Sequence, residues 1–359
     1  MTPTLDYIVP TGEYIAEWME EAGINAAELS RRLGVTPKNV SELLSGKAPL
    51  SHQLALSLER VSGIPARLWN LYESGYRNAL ARVREREGLE AQFGRAQLFP
   101  LSWLRKYGYL KASRTDRAEV VGQLLSILGV GSFDALDETW AKGSIAYRRA
   151  AVNREDAPAL ITWLALADRY LEELIDLPAY NREGLKNLIP RLRSLTAAED
   201  LRAAVDEAVG WLRSVGVVLC FTPPISGLGI HGATRWVKEH PLIQLSLRGK
   251  SDDQLWFTLF HELGHVLLHS PKELFLHEGS REAEEEADEF ASRILVPPEY
   301  HARLPRKRDL QAIRDLASEM GIAPSIVLGQ AQRITNDYSW GHALKRKLEW
   351  VTGTNHSSK

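Results

Sequence analysis

The segment TLFHELGHVLLH, Thr258–His269, narrows the fold more than any other stretch of this chain. It sets two histidines and a glutamate inside an apolar run, where ionisable groups are costly unless they are paired or bind metal. Upstream, SDDQ (Ser251–Gln254) has the Ser-x-x-Gln spacing of a capping box, and Asp252 and Asp253 suit the positive end of a helix. Leu255, Leu259, Phe260, Leu263, Val266 and Leu267 recur at helical spacing and Pro271 stops the run. The pattern predicts a helix of about five turns. His261 and His265 are one turn apart, so both imidazoles can point at one ion. Glu262 is one position round, where it cannot easily coordinate beside them but can reach a water at the ion. The H-E-x-x-H spacing thus supplies two zinc ligands and one base.

A hydrolytic zinc of this type needs a third protein ligand. Downstream candidates are His269, His277, Glu278, Glu282, Glu284, Glu285, Glu286, Asp288 and Glu289. On a helical wheel, Ala287, Ala291, Ile294 and Leu295 define a core-facing stripe. Glu284 falls on its edge, one turn before Asp288, whereas Glu285, Glu286 and Glu289 fall on a solvated face. Glu284 is therefore the expected third ligand. Asp288 is placed to accept the second ring N–H of a ligand histidine, which fixes imidazole orientation. Two imidazoles and a carboxylate favour zinc over manganese or iron.

The run DDQLWFTLFHELGHVLLH, followed by EEEADEFASRILVP, resembles the ImmA/IrrE metallopeptidases, as do ISGLGIHGATRW and LIQLSLR upstream. The resemblance covers roughly residues 215–335. It implies a zincin-like, gluzincin-type peptidase domain, a small sheet packed on two helices, with His261, His265 and Glu284 as ligands and Asp288 completing an E-x-x-x-D pattern. It also implies a repressor or antitoxin-like protein as substrate, cleaved after stress. Oxyanion stabilisation has five candidates, His231, Arg235, Arg248, His269 and His277; His231, in the Gly-rich loop before a strand, is preferred.

NAAELSRRLGVTPKNVSELLSGKAPL, Asn25–Leu50, carries a second signature. Asn25 and Thr36 are placed to cap two short helices, Pro37 to open the second, and Gly34 to turn between them. Such a unit is a helix-turn-helix. The stretch resembles Xre/Cro-type domains, with the HigA-type antitoxins the nearest flavour, over about residues 12–75. That implies operator DNA as partner, and for an antitoxin-like chain a toxin and a second copy of itself. Lys38, Asn39, Ser41, Glu42 and Ser45 would face bases, and Arg31, Arg32, Lys47 and Gln53 the phosphates. Against strong DNA affinity, residues 1–62 hold five basic and eight acidic side chains, and phosphate contact dominates such binding. A protein-docking role for the same fold is the competing reading. LSRRLGVTPKNV (Leu29–Val40) is also echoed by LASEMGIAPSIV (Leu316–Val327), where packing rather than DNA reading is expected.

The expected fold is mainly α with a small α+β domain. It comprises a helix-turn-helix bundle (1–75), a charged linker helix (76–97), a helical middle region (98–214) and the peptidase domain with a small sheet (215–352). GVVLCF, GATRWV and LIQLSL read as three strands. The N-terminus lacks the features of a signal peptide, no apolar run approaches the length of a membrane span, and Cys220 stands alone in an apolar run. These features suit a cytoplasmic chain without a disulfide or a thiolate metal site. The main functional alternative is a HigA-like antitoxin or repressor whose peptidase-like domain binds metal or a partner without turnover.

Overall fold

The computed structural model describes residues 8–142, 156–269, 275–276 and 281–350. The chain divides into two compact units, Met1–Phe93 with Ser113–Val121, and Gly94–Ala112 with Gly122–Lys359.

The first unit is built on α1 (Thr11–Glu21), α2 (Ala26–Leu33), α3 (Pro37–Leu44), α4 (His52–Ser62) and α5 (Ala66–Ala91). Asn25 Oδ1 accepts from Glu28 N–H and Thr36 Oγ1 from Asn39 N–H, so both predicted caps form. Gly34 closes α2 in the left-handed conformation (φ 68°) and Pro37 starts α3. Ile15, Leu29, Leu33, Val40, Leu43, Leu58 and Trp69 make the core. Residues 76–91, read from sequence as a separate solvated helix, continue the helix that begins at Ala66. Glu73 anchors this long helix: it accepts from Thr11 Oγ1 (2.6 Å) and from Arg77 Nε (2.7 Å), and Arg77 also donates to the Ala48 carbonyl.

Further helices follow: α6 (Phe93–Ala96), α7 (Leu101–Lys106), α8 (Arg117–Leu128) and α9 (Phe133–Lys142). Against the sequence expectation, Arg117–Thr139 is long and apolar enough by length and composition to cross a bilayer, with a mean hydropathy of 1.3. Yet Gly129 breaks it in the left-handed conformation, and Val120, Val121, Leu124, Leu125, Phe133 and Leu136 are buried within the protein.

The second unit centres on a four-stranded sheet ordered β1-β3-β2-β4, from β1 (Val218–Phe221), β2 (Gly232–Val237), β3 (His240–Leu245) and β4 (Phe275–Leu276). The β1–β3 pair is parallel and the others antiparallel. The two-residue β4 is too short for an alternation signal, and the sequence reading found only three strands. Helices α10 (Ala157–Glu173), α11 (Arg182–Ser194) and α12 (Leu201–Ser214) precede the sheet. After it come α13 (Asp252–Leu268), α14 (Arg281–Leu295), α15 (Pro298–His301), α16 (Leu310–Met320) and α17 (Pro324–Thr335).

Both faces of the sheet are covered, which explains its continuous apolar strands. Leu219, Ile243 and Leu245 face the large core built by α11, α12, α13, α14, α16 and α17. Val218, Cys220 and Leu242 face α10 through Ala167 and Leu171. Burial pushes the Cys220 thiol up to about 12. The native chain should therefore resist a thiol reagent at mildly alkaline pH, while the unfolded chain reacts at its single cysteine. Equal labelling of both states in a mass-spectrometric time course would contradict this placement.

Arg235 lies on the same face as Cys220. It is 2% exposed, pairs with Asp168 (2.7 Å), and donates to the Leu164 carbonyl and to Gln244 Oε1. Removing it leaves those buried acceptors unmet, so Arg235→Ala is expected to cost about 2–4 kcal/mol in denaturant unfolding, below a fully buried pair because Asp168 still touches water.

The C-terminal echo adopts the predicted geometry: α16 ends at left-handed Gly321 (φ 64°) and Pro324 opens α17. This second helix-turn-helix packs on the N-terminal end of α13, where Ser325 Oγ donates to Asp252 Oδ2 in a buried bond. Arg346 and Lys345 pair there with Asp252 and Asp253. The two aspartates, read as helix-end charges, are in fact buried and ion-paired. Ser251 occupies the N-cap position but donates to Asp253 Oδ1 instead of receiving a backbone N–H, so the capping box does not form.

Candidate metal centre

Helix α13 spans the predicted run and ends at Leu268; Pro271 lies outside the described residues, as do His277 and Glu278. Along it His261, Glu262 and His265 are all buried, at 2–3% exposure. Helix α14 packs tightly against it. Gly264 makes this approach possible, since a Cβ there would stand 3.2 Å from Ala287 Cα. Ala283, Ala287, Ala291 and Leu295 are the buried stripe of α14, and Ile294 is half-buried.

This packing brings Glu284 over the two histidines. Its oxygens lie 3.3 Å from His261 Nε2 and 3.5 Å from His265 Nε2, and the two Nε2 atoms are 3.0 Å apart. Among the described residues, these three form a group whose ligand atoms all lie within 4.8 Å of one another. Nitrogens on one tetrahedral zinc, at about 2.0–2.1 Å each, stand roughly 3.3 Å apart, so the spacing fits a shared ion.

The electrostatics fit as well. Burial alone would lower the His261 pKa, but Asp288, Glu284 and Glu262 together raise it to about 10. The acids thus favour a proton on the His261 ring in the metal-free chain, and the same three acids would favour a metal cation at the ring nitrogens in its place. Asp288 Oδ1 is 2.9 Å from His261 Nδ1, on the far side of the ring from Glu284.

Glu262 projects toward the sheet. Its Oε2 accepts from Thr234 Oγ1 at 2.7 Å, and burial pushes its carboxyl up to about 7 despite His261 and Thr234. Gly232, two residues earlier on the same strand face, leaves room for this carboxylate: a Cβ there would collide with Glu262 Oε1. Neither residue was singled out from sequence. Strand alternation puts Gly232 and Thr234 on the α13 face and Arg235 on the other. Arg235 is therefore excluded as an oxyanion donor.

The remaining candidates separate by position. His231 immediately precedes Gly232; its carbonyl is held by Ser246 and it lines a small recess with Leu245, Arg248 and Thr258. Arg248 is exposed. His269 Nδ1 lies 2.9 Å from His265 Nδ1 and its Nε2 lies 3.0 Å from Glu286 Oε2. Glu282, Glu285 and Glu289 are exposed.

In the first unit, Lys38, Asn39, Ser41 and Ser45 are exposed on or just after α3; Glu42 is half-buried, 3.7 Å from Lys38. Lys47 and Gln53 are exposed too. Arg31 and Arg32 are both held by Glu28, at 2.5 and 2.8 Å, so part of the positive charge on this face is already met. A groove of about 410 Å³ runs along Leu33, Asn39, Glu42, Gln53 and Leu54.

Two likenesses to known proteins bear on these sites. Residues 214–328 match the peptidase M78 family, described as the IrrE N-terminal-like domain. The matched stretch contains the sheet, α13, α14 and His261, His265 and Glu284, so this part of the chain is similar to the IrrE N-terminal-like domain. Over 58 residues the chain is also 33% identical to an uncharacterized HTH-type transcriptional regulator, YddM, of Escherichia coli (strain K12). That alignment takes in 16% of this chain and 62% of the relative, so the chain spans less than two thirds of that protein's length.

Proposed function

We propose that the chain is a cytoplasmic transcriptional regulator carrying a zinc-dependent, substrate-restricted metallo-endopeptidase. In this reading a DNA-binding helix-turn-helix domain (1–75), whose last helix runs on through residues 76–91, and a helical region (98–214) precede the peptidase domain (215–352). It cleaves a repressor or antitoxin-like protein, regulates its own operon, or does both. The observation that carries the reading is the convergence of His261, His265 and Glu284 beside a buried Glu262. The likeness to a protein named as an HTH-type transcriptional regulator supports the regulatory half.

His261, His265 and Glu284 would hold the zinc, with Asp288 fixing the His261 ring. Zinc, when bound, supplies the positive charge that polarises the scissile carbonyl and acidifies water. Glu262 takes a proton from the attacking water and returns it to the leaving amine. Thr234 aims that carboxylate, and His231, on the loop next to it, serves the developing oxyanion. Lys38, Asn39, Ser41, Glu42 and Ser45 read operator bases, with Arg31, Arg32, Lys47 and Gln53 on the phosphates.

The test compares host cells expressing the chain with cells expressing Glu262→Gln, by mass spectrometry of newly formed protein N-termini. A short set of termini present only with the unsubstituted chain, in a repressor or antitoxin, is the expected result. Identical termini in both would refute proteolysis as the function.

A further inference from the structure

Each ligand histidine has a second ring nitrogen that must be kept in one protonation form if its Nε2 lone pair is to face the ion. For His261 the partner is Asp288. For His265 it is another histidine. His269 lies one turn further along, at the end of α13, with only 9% of its side chain exposed. Its Nδ1 faces His265 Nδ1 at 2.9 Å, and its Nε2 faces Glu286 Oε2 at 3.0 Å. Because His269 meets His265 on the side of the ring away from His261 and Glu284, it cannot be a ligand to the same ion.

The geometry points to a relay in which Glu286, acting through His269, positions His265 as a metal ligand. The proton placement follows in one direction. An ionised carboxylate only accepts, so His269 must carry its proton on Nε2 and donate it to Glu286. His269 Nδ1 is then an acceptor, and His265 must carry its proton on Nδ1 to donate to it. That leaves His265 Nε2 with its lone pair toward His261 Nε2 and Glu284. Asp288 imposes the same form on His261 by a single step, so the two ligands are oriented by separate acids, both on α14. Glu286 thus acquires a role although it lies on the solvated face of its helix. Its neighbours Glu285 and Glu289 instead pair along α14 with Arg281 and Arg293. The relay rests on the proposed metal site but adds His269 and Glu286 as positioning residues.

The test uses the full chain and His269→Ala, His269→Gln, Glu286→Gln and Glu285→Gln. Zinc affinity is read by competition with a chromophoric chelator, and the His265 tautomer by nitrogen-15 shifts of the metal-free protein. His269→Ala should weaken zinc by about 10–100-fold, the range for removing an orienting partner of a ligand histidine. His269→Gln, which keeps an acceptor, should recover part of the loss. Glu286→Gln should move affinity in the same direction by less, and Glu285→Gln should leave it unchanged. The metal-free chain should show His265 protonated at Nδ1, a preference lost in His269→Ala. Tight zinc binding that His269→Ala and Glu286→Gln leave unchanged would overturn the relay and spare the metal site. An unsubstituted chain that holds no zinc would overturn both.

Discussion

Zinc measured on the purified chain should come to about one equivalent, and His261→Ala, His265→Ala or Glu284→Ala should each retain less than about a tenth of it after dialysis, since three protein ligands are the minimum for a site of this type. Glu262→Gln should keep its zinc, because the Glu262 carboxylate is turned to Thr234 and Gly232 rather than to the point where His261, His265 and Glu284 meet. The fold should survive the loss of metal. The ligand helices belong to a core that also takes in α11, α12, α16, α17 and the sheet, and Ala287, Ala291, Leu259 and Leu263 stay buried whatever the ligands hold. Metal then stabilises only by mass action on a chain already folded, unlike small zinc domains whose core is the metal itself. Inductively coupled plasma analysis with circular dichroism on the same samples decides the matter. Full zinc occupancy in both His261→Ala and Glu284→Ala would remove these residues from the ligand set.

What could be read from the sequence follows from where the information lies. The meeting of His261 and His265 is set by one helix, and Glu284 by the phase of a second, so periodicity alone reaches them. The caps Asn25 and Thr36, the left-handed Gly34 and the repeat of that turn at Gly321 are local as well. Thr234 and Gly232 were missed because they act across elements: only the sheet's docking on α13 brings them to Glu262, and a threonine and a glycine in a short strand carry no mark of it. Arg235 shows the reverse error. An arginine in an apolar strand signals a charge to be satisfied, but which face it takes depends on register, and it is spent on Asp168 of α10. The SDDQ run failed as a capping box because Asp252 and Asp253 have distant partners, Arg346 and Lys345, nearly a hundred residues away.

The cross-element contact at Gly232 leads to the second large effect. Gly232→Ala demands no unusual backbone conformation, because this glycine sits in regular antiparallel pairing with Leu245. The added methyl meets the Glu262 carboxylate and, at 3.0 Å, Leu245 Cδ2. Both are ends of flexible side chains, so the strand need not move; the carboxylate must. Turning it away gives up the bond from Thr234 and removes the base from its place, a displacement of the order of 1 Å that costs about 100-fold in rate where positioning governs the step. Zinc content should be unchanged, since the atoms nearest the new methyl belong to Glu262 and Leu245 and not to a ligand side chain. The expected signature is therefore a loss of the Glu262-dependent N-termini by about two orders of magnitude at full zinc occupancy and nearly unaltered melting. Thr234→Val should move cleavage the same way by a smaller factor, because it removes the bond without filling the space. Cleavage by Gly232→Ala at the rate of the unsubstituted chain would show that Glu262 does not act from the position the strand gives it.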